Sequence, residues 1–308
     1  MEQKPIILVT GATGGQGGSV AKALLKENKF AVRILTRNGN AANATELANA
    51  GAAIFEGTMD DVESMKKAME GCYGVFGVTN FWEHFGKEFQ LGKNLADAVH
   101  QSGIRHFVFS TMANYHQLSN NTLEVLHCDI KGQLQDYTKS LQLPATFVHM
   151  PFYYENFLSF FPLQPGGDGN YYFGFPQGDT NLSMVSVEDM GAVVARIFDY
   201  PAEYIGRTVG IVGEDKSCTE YAAIMSKVLG QNIYYNYIPR AEYAAFGFPG
   251  AEELANMFEV QRLYIPNRRL HLIETYGLNP ETQTFESWLK KNSSKFEKVW
   301  VKEETVRA

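Results

Sequence analysis

Ile6-Ile7-Leu8-Val9-Thr10-Gly11-Ala12-Thr13-Gly14-Gly15-Gln16-Gly17-Gly18-Ser19-Val20-Ala21-Lys22-Ala23-Leu24-Leu25 places a short apolar run, a glycine-rich turn and a helix-like pattern in immediate succession. The glycines at 11, 14 and 17 have a GxxGxxG spacing. Between a strand and a helix each has a physical task. Gly11 lets the chain turn sharply off the strand, Gly14 lets the backbone approach a pyrophosphate, and Gly17 lets the new helix pack on the sheet. The first turn of that helix offers free N–H groups and the positive end of the helix dipole, so an anion is favoured there.

Working outward, short and nearly continuous apolar runs predict strands at 6–9, 31–36, 53–56, 75–78, 107–110 and 146–150. Such runs suit strands covered on both faces. Helical patterns fall between them at 19–26, 45–50, 62–69, 86–101 and 123–139. Leu91, Leu95, Ala98 and Val99 form the stripe of a helix packed on a sheet. Repeated β-α units with short links predict an α/β chain with a Rossmann-type, doubly wound parallel sheet and right-handed crossovers. The pattern changes after Pro151. A turn-rich insert, Pro165-Gly166-Gly167-Asp168-Gly169, precedes the aromatic run Tyr171-Tyr172-Phe173-Gly174-Phe175. Helices are expected at 187–198, 219–229, 251–263 and 285–291, and a strand at 208–212. We therefore expect a dinucleotide-binding domain over 1–151 and a smaller, mostly helical C-terminal lobe over 152–308. Segments near 182–212 should return to the first domain.

The bulk composition narrows the function classes. The 308 residues carry 27 Lys and Arg against 34 Asp and Glu, a net charge of −7, and 45% are hydrophobic. An acidic chain gains nothing from counterion release, so direct nucleic-acid binding is not expected. Three widely spaced cysteines (Cys72, Cys128, Cys218) make no disulfide framework, and the histidines show no metal-ligand spacing. No apolar run is long enough to span a bilayer. A soluble cytoplasmic protein without a metal or a membrane partner is expected. A homodimer remains open.

Strand C-termini are where a doubly wound sheet places its ligand. The second strand runs into Thr36-Arg37, 20 residues beyond Gly17. Where NAD-binding domains carry an acidic residue for the ribose hydroxyls, a guanidinium grips a 2′-phosphate, so the cofactor expected is NADP(H). The third strand leads to Gly57-Thr58-Met59-Asp60-Asp61, near the expected adenine. The fourth leads to Thr79-Asn80-Phe81, near the nicotinamide-side ribose, the fifth to Ser110-Thr111, and the sixth to Pro151-Phe152-Tyr153-Tyr154-Glu155-Asn156. Aromatics in the last cluster suit stacking on nicotinamide, and Asn156 suits its carboxamide.

These motifs, with Thr36-Arg37-Asn38 and Val78-Thr79-Asn80-Phe81-Trp82-Glu83, resemble the NmrA-like branch of atypical short-chain dehydrogenases. Gly247-Phe248-Pro249-Gly250-Ala251 followed by Leu254-Ala255-Asn256-Met257-Phe258 is similar to the C-terminal signature of the NmrA-like redox-sensor proteins of animals, often called HSCARG. The resemblance spans nearly the whole chain. It implies preferential NADP(H) binding and a role in sensing the NADPH/NADP+ ratio through a regulatory protein partner. By matching position it implies cofactor contacts at Gly11, Ala12, Thr13, Gly14, Gly15, Gln16, Arg37, Thr58, Met59, Thr79, Asn80, Phe81, Lys131, Tyr153, Tyr154, Glu155 and Asn156. Gly17 and Thr36 join them from the turn and the strand end. Thr58 stands where close relatives have Asp, and Gly39-Asn40-Ala41 offers no second basic residue, so a weaker 2′-phosphate grip is expected.

A short-chain dehydrogenase protonates its carbonyl substrate with a Tyr four residues before a Lys. Here Lys131 is present, but His127 stands in the place of the Tyr. Two readings follow. One is an NADP(H)-responsive regulatory protein with little turnover, in which Lys131 binds ribose hydroxyls and His127 lies on the helix surface. The alternative is an NADPH-dependent reductase of a small carbonyl, quinone or enone, with Lys131 and His127 as its catalytic pair.

Overall fold

Six parallel strands, β1 (Ile6–Val9), β2 (Ala31–Thr36), β3 (Ala53–Glu56), β4 (Cys72–Gly77), β5 (His106–Thr111) and β6 (Ala145–His149), pair with a later strand, Thr208–Gly210, in one seven-stranded sheet. The spatial order is Thr208–Gly210, β6, β5, β4, β1, β2, β3, and every neighbouring pair is parallel. The computed structural model describes residues 4–265 and 267–297. The order reverses between β1 and β4, where Leu8 pairs with Val75 and Val9 with Phe76. Crossovers leave the sheet in opposite directions on either side of that pair, so their diverging ends open a crevice above it.

The crossover helices are α1 (Gly15–Glu27), α2 (Ala42–Asn49), α3 (Val62–Met69) and α4 (Glu88–Gln101), followed by the short α5 (Tyr115–Leu118) and by α6 (Leu126–Ser140). One face of the sheet buries Val20, Ala21 and Leu24 of α1 together with Val193, Val194 and Ile197 of the helix Met190–Asp199. The other face buries Met65, Leu95, Val99 and Leu134 from α3, α4 and α6. Strands covered on both sides need no polar alternation, which is why their sequence reads as apolar runs. Several ends differ from the sequence reading by up to four residues, among them the starts of α2, α6 and Met190–Asp199. α1 begins at Gly15, because the glycines themselves form its first turn, and β4 begins at Cys72.

The stretch expected to return to the sheet does so in part. Met190–Asp199 packs against α1, where Ser19 Oγ donates to Glu188 O (2.7 Å) and accepts from Gly191 N (2.9 Å). Thr208–Gly210 extends the sheet beside β6. Asn181–Val185 instead joins a separate sheet with Phe152–Tyr153 and Glu214–Ser217. The aromatic run Tyr171–Phe175 is a strand between Gln164–Pro165 and Ile233–Tyr237. Its alternating rings fill an aromatic core in which Phe175 and Phe258 stack at 4.3 Å. The helix Arg269–Leu278 escaped the sequence reading because Leu270 and Ile273 face outward and blur its periodicity. Among the described residues no helix is long and apolar enough to cross a membrane. Nor does any group of three His, Cys, Asp or Glu converge as a metal site among them.

Candidate cofactor site

The glycine turn is shaped by two close approaches. Gly11 takes a left-handed φ of +60°, and a Cβ there would meet Val78 Cγ1 at 2.6 Å. A Cβ on Gly17 would fall 2.4 Å from Gly11 O, so the first turn of α1 lies directly on the preceding backbone. The cap residue Gly14 has no side chain to satisfy that turn, and no acidic residue lies within it. First-turn N–H groups need partners, and an anion supplies them. Gln16 donates from Nε2 to the Tyr153 hydroxyl (2.7 Å), while its buried Oε1 has no partner. An uncapped helix start and an orphaned amide oxygen fit a dinucleotide that runs across the turn.

A cavity of about 1170 Å³ runs along the strand ends above this turn. Gly11, Thr13, Gly14, Gly15, Gln16, Gly17, Thr36, Arg37, Thr58, Met59, Thr79, Asn80, Phe81, His127, Lys131, Tyr153 and Asn156 all line it. Ala12, Tyr154 and Glu155 do not. Ala12 is buried beneath the turn. Tyr154 follows the two-residue strand Phe152–Tyr153, so its side chain leaves on the opposite side from Tyr153. It packs on Phe285 (5.1 Å) and Trp288 (5.6 Å), and burial drives its phenol pKa far up. Glu155 accepts from Ser186 Oγ (2.6 Å), Val187 N (3.1 Å) and Trp288 Nε1 (3.1 Å). These two residues tie the C-terminal half to the sheet.

At the adenosine end, Arg37 Nη2 donates to Glu83 Oε1 at 2.6 Å. This bond holds the Glu83 carboxyl below its ordinary range. The loop after Arg37 is pinned from below, since Gly39 N donates to Glu56 Oε1 (2.7 Å). Thr58 turns to Asp60 Oδ2 (3.0 Å). The pair Arg37–Glu83 thus bridges the loops after β2 and β4 at the mouth of the cavity.

At the other end, α6 delivers Lys131 to the close of β4. Its Nζ donates to Thr79 O (2.9 Å), to Thr79 Oγ1 (3.0 Å) and to Glu88 Oε1. An ammonium has three N–H bonds, and all three are committed. Glu88 is fully buried at the start of α4, where it also accepts from Thr79 Oγ1 (2.7 Å). Sequence reading did not single out Glu88, because nothing local marks one helix-start glutamate as buried.

His127 is not on the helix surface. Its side chain and that of Glu253 are each 15% exposed. Nδ1 and the backbone N of His127 both lie against Glu253 Oε1, at 2.6 and 2.8 Å. Burial alone would lower the imidazole pKa, but Cys128 and the Glu253 carboxylate outweigh it and raise the pKa to about 10 from 6.5. A raised folded-state pKa means that folding takes up a proton. Its contribution to stability is complete below pH 6.5 and is lost as pH rises through 10. Denaturation midpoints measured from pH 6 to 10 should fall for the native protein, and Glu253→Gln should flatten part of that slope.

The same cavity has an aromatic-lined part, here called the chamber, that sequence reading did not assemble. Phe160, Phe161, Tyr243, Phe248, Leu254 and Met257 line the cavity together with Phe81, Trp82 and Lys131. The indole of Trp82 lies against Gly250. Phe248, Leu254 and Met257 come from the C-terminal signature, so the signal was present without its location.

A profile of the NmrA-like family matches residues 3–289. An NmrA-like family domain-containing protein of Dictyostelium discoideum is 30% identical over 246 residues, covering 77% of this chain and 82% of that protein. The NmrA-like family domain-containing oxidoreductase FrzB of a Cladobotryum species is 30% identical over 277 residues, with 82% of each chain covered. Among solved structures, NmrA, a negative transcriptional regulator, superposes with a TM-score of 0.81 at 25% identity, over 94% of this chain and 95% of that one.

Proposed function

The chain belongs to the NmrA-like family, and on that premise we propose that it binds NADP(H) and reduces a small conjugated carbonyl compound. The observation that carries this reading is the aromatic chamber with its buried His127–Glu253 pair, continuous with the glycine-turn cavity. A pure nucleotide site has no use for that second space. The first turn of α1 would hold the pyrophosphate, Arg37 the 2′-phosphate, and Tyr153 with Asn156 the nicotinamide end. The reduced nicotinamide, when bound, supplies a hydride. NmrA has been solved with NADP and with NAD, and several relatives carry oxidoreductase in their names, which supports the reading.

A second reading, an HSCARG-like sensor of the NADPH/NADP+ ratio acting through a protein partner, is favoured by Lys131. With its three N–H bonds committed to Thr79 and Glu88 it is not poised to assist a proton donor, and the ribose contact expected of it would require one of these bonds to be exchanged. Following NADPH at 340 nm with quinones, enones and simple carbonyls, beside calorimetric titration of NADPH and NADH, separates the two. Acceptor-dependent oxidation supports the reductase. Tight NADPH binding without oxidation supports the sensor.

Glu83 competes with a 2′-phosphate for Arg37. An exposed ion pair contributes about 0.2–1 kcal/mol. Glu83→Gln should therefore tighten NADPH about two- to fivefold by calorimetry and leave NADH unchanged.

A further inference from the structure

The chamber has walls of aromatic rings drawn from three separate stretches, and one imidazole set among them. His127 lies 6.0 Å from the Phe81 ring and 5.6 Å from the Trp82 ring, centroid to centroid. We propose that His127, held in place by Glu253, donates the proton to the oxygen of a planar conjugated carbonyl, a quinone or an enone, bound against these rings. This inference rests on the reductase reading and names its substrate class and its acid.

The rivals for the acid are excluded one by one. Lys131 has its ammonium consumed by Thr79 and Glu88. The Tyr153 hydroxyl keeps its own proton while accepting from Gln16, but burial pushes its pKa to about 12, so it gives that proton up less readily. Burial does the same to Tyr243. His84 stands at the mouth beside Glu83 (3.8 Å). His127 alone combines a place in the chamber wall with a carboxylate that fixes its ring and its charge. Glu253 acts as the positioning residue, as the acidic partner of a catalytic histidine does elsewhere.

The chemistry balances. A hydride brings two electrons and one hydrogen to the acceptor, and the displaced π-pair leaves a negative charge on the carbonyl oxygen. The imidazolium N–H bond then breaks, an O–H bond forms, and the imidazole regains a proton from water. A phenolic oxygen titrates near 10, so proton transfer from an imidazolium of similar pKa runs close to level. Phe81 and Trp82 stand edge to face at 88°, and the half-exposed Trp82 indole offers a flat acceptor a face to stack on. The charged and titratable groups around His127 are Glu253 on the helix Ala251–Tyr264, Cys128 and Lys131 on its own helix, Glu88 behind Lys131, and Glu83 with His84 on the loop after β4.

Two probes test this on the NADP+-loaded full chain: 1,4-naphthoquinone, and its 2-hydroxy derivative, an anion at neutral pH that carries the charge of the reduced oxygen. Calorimetry should find the anion bound at least about tenfold more tightly than the neutral quinone. His127→Gln should abolish that preference and leave neutral-quinone affinity in place. Glu253→Gln should keep the preference at pH 6 and lose it at pH 8.5, a shift that loss of packing alone does not produce. If His127→Gln does not fold, the Glu253→Gln comparison carries the test. With NADPH and 1,4-naphthoquinone, His127→Gln should lower kcat about 100-fold with little change in KM. Unchanged kcat and unchanged anion preference in that variant overturn the proton-donor role and leave the reductase reading standing. Turnover of simple aldehydes with no binding of either naphthoquinone overturns the substrate class. A wild-type protein that binds NADPH but passes its hydride to none of these acceptors overturns the reductase reading, and the inference with it.

Discussion

Arg37→Asp should weaken NADPH binding by about 2–4 kcal/mol, roughly 30- to 1000-fold, and leave NADH within a few-fold of the native affinity. The substitution replaces a bidentate cationic partner of the 2′-phosphate with a like charge. It also places a carboxylate beside Glu83, which now bonds the guanidinium at 2.6 Å. Both changes act on the phosphate end alone, since NADH lacks the group that Arg37 would hold. Calorimetry with the two cofactors reads the difference directly. Equal loss for both would mean that the variant had disturbed the loops after β2 and β4 rather than phosphate recognition. No loss for either would remove Arg37 from the cofactor site.

Gly14→Val and Gly17→Ala should both abolish cofactor binding, but for different reasons that a denaturation curve separates. Gly14 has φ −99° and ψ −178°, a conformation open to any residue, and the nearest atom to an added Cβ is Gly11 O at 3.4 Å. Valine there keeps the fold within about 1 kcal/mol of native stability while its branch fills the space through which a pyrophosphate must reach the helix N–H groups. Gly17 has no such room. Its Cβ would overlap Gly11 O, Gly11 C and Thr10 O at 2.4–2.5 Å, all of them backbone atoms that cannot rotate away. Gly17→Ala should cost about 3 kcal/mol or more and take NADPH and NADH binding with it. A folded Gly14→Val protein that still binds NADPH would place the pyrophosphate elsewhere. The sequence motif already assigns Gly14 to ligand approach and Gly17 to helix packing, and the packed turn supplies the distances: 3.4 Å of room at Gly14 against 2.4 Å at Gly17.

The loop after β2, Asn38 to Asn43, is rich in Asn, Gly and Ala, which specify little local structure. The structure joins it to the loop after β4 through Arg37–Glu83 and pins it on Glu56. On the proposed reading a phosphate that takes Arg37 would free Glu83, which stands in the same loop as Phe81 and Trp82 of the cavity lining.

What the sequence by itself determined was everything that depends on local spacing. Alternating apolar runs and helical stripes specified the parallel sheet, the glycine triplet specified the strand–turn–helix that opens it, and Thr36-Arg37 marked the strand end beside it. Periodicity is a property of neighbouring residues, so it survives without knowledge of the rest of the chain. Tertiary structure alone decided which side chains meet. Lys131 loses its free N–H bonds to Glu88, 43 residues away, and His127 becomes a buried cation through Glu253, 126 residues away. Tyr154 turns into the core and Glu155 to Ser186, Val187 and Trp288, while Tyr153 and Asn156 line the cavity, although all four stand in one motif. A side chain's chemistry is set by its partners and by the water it loses. Both depend on how distant segments pack, and no local pattern in the sequence encodes that.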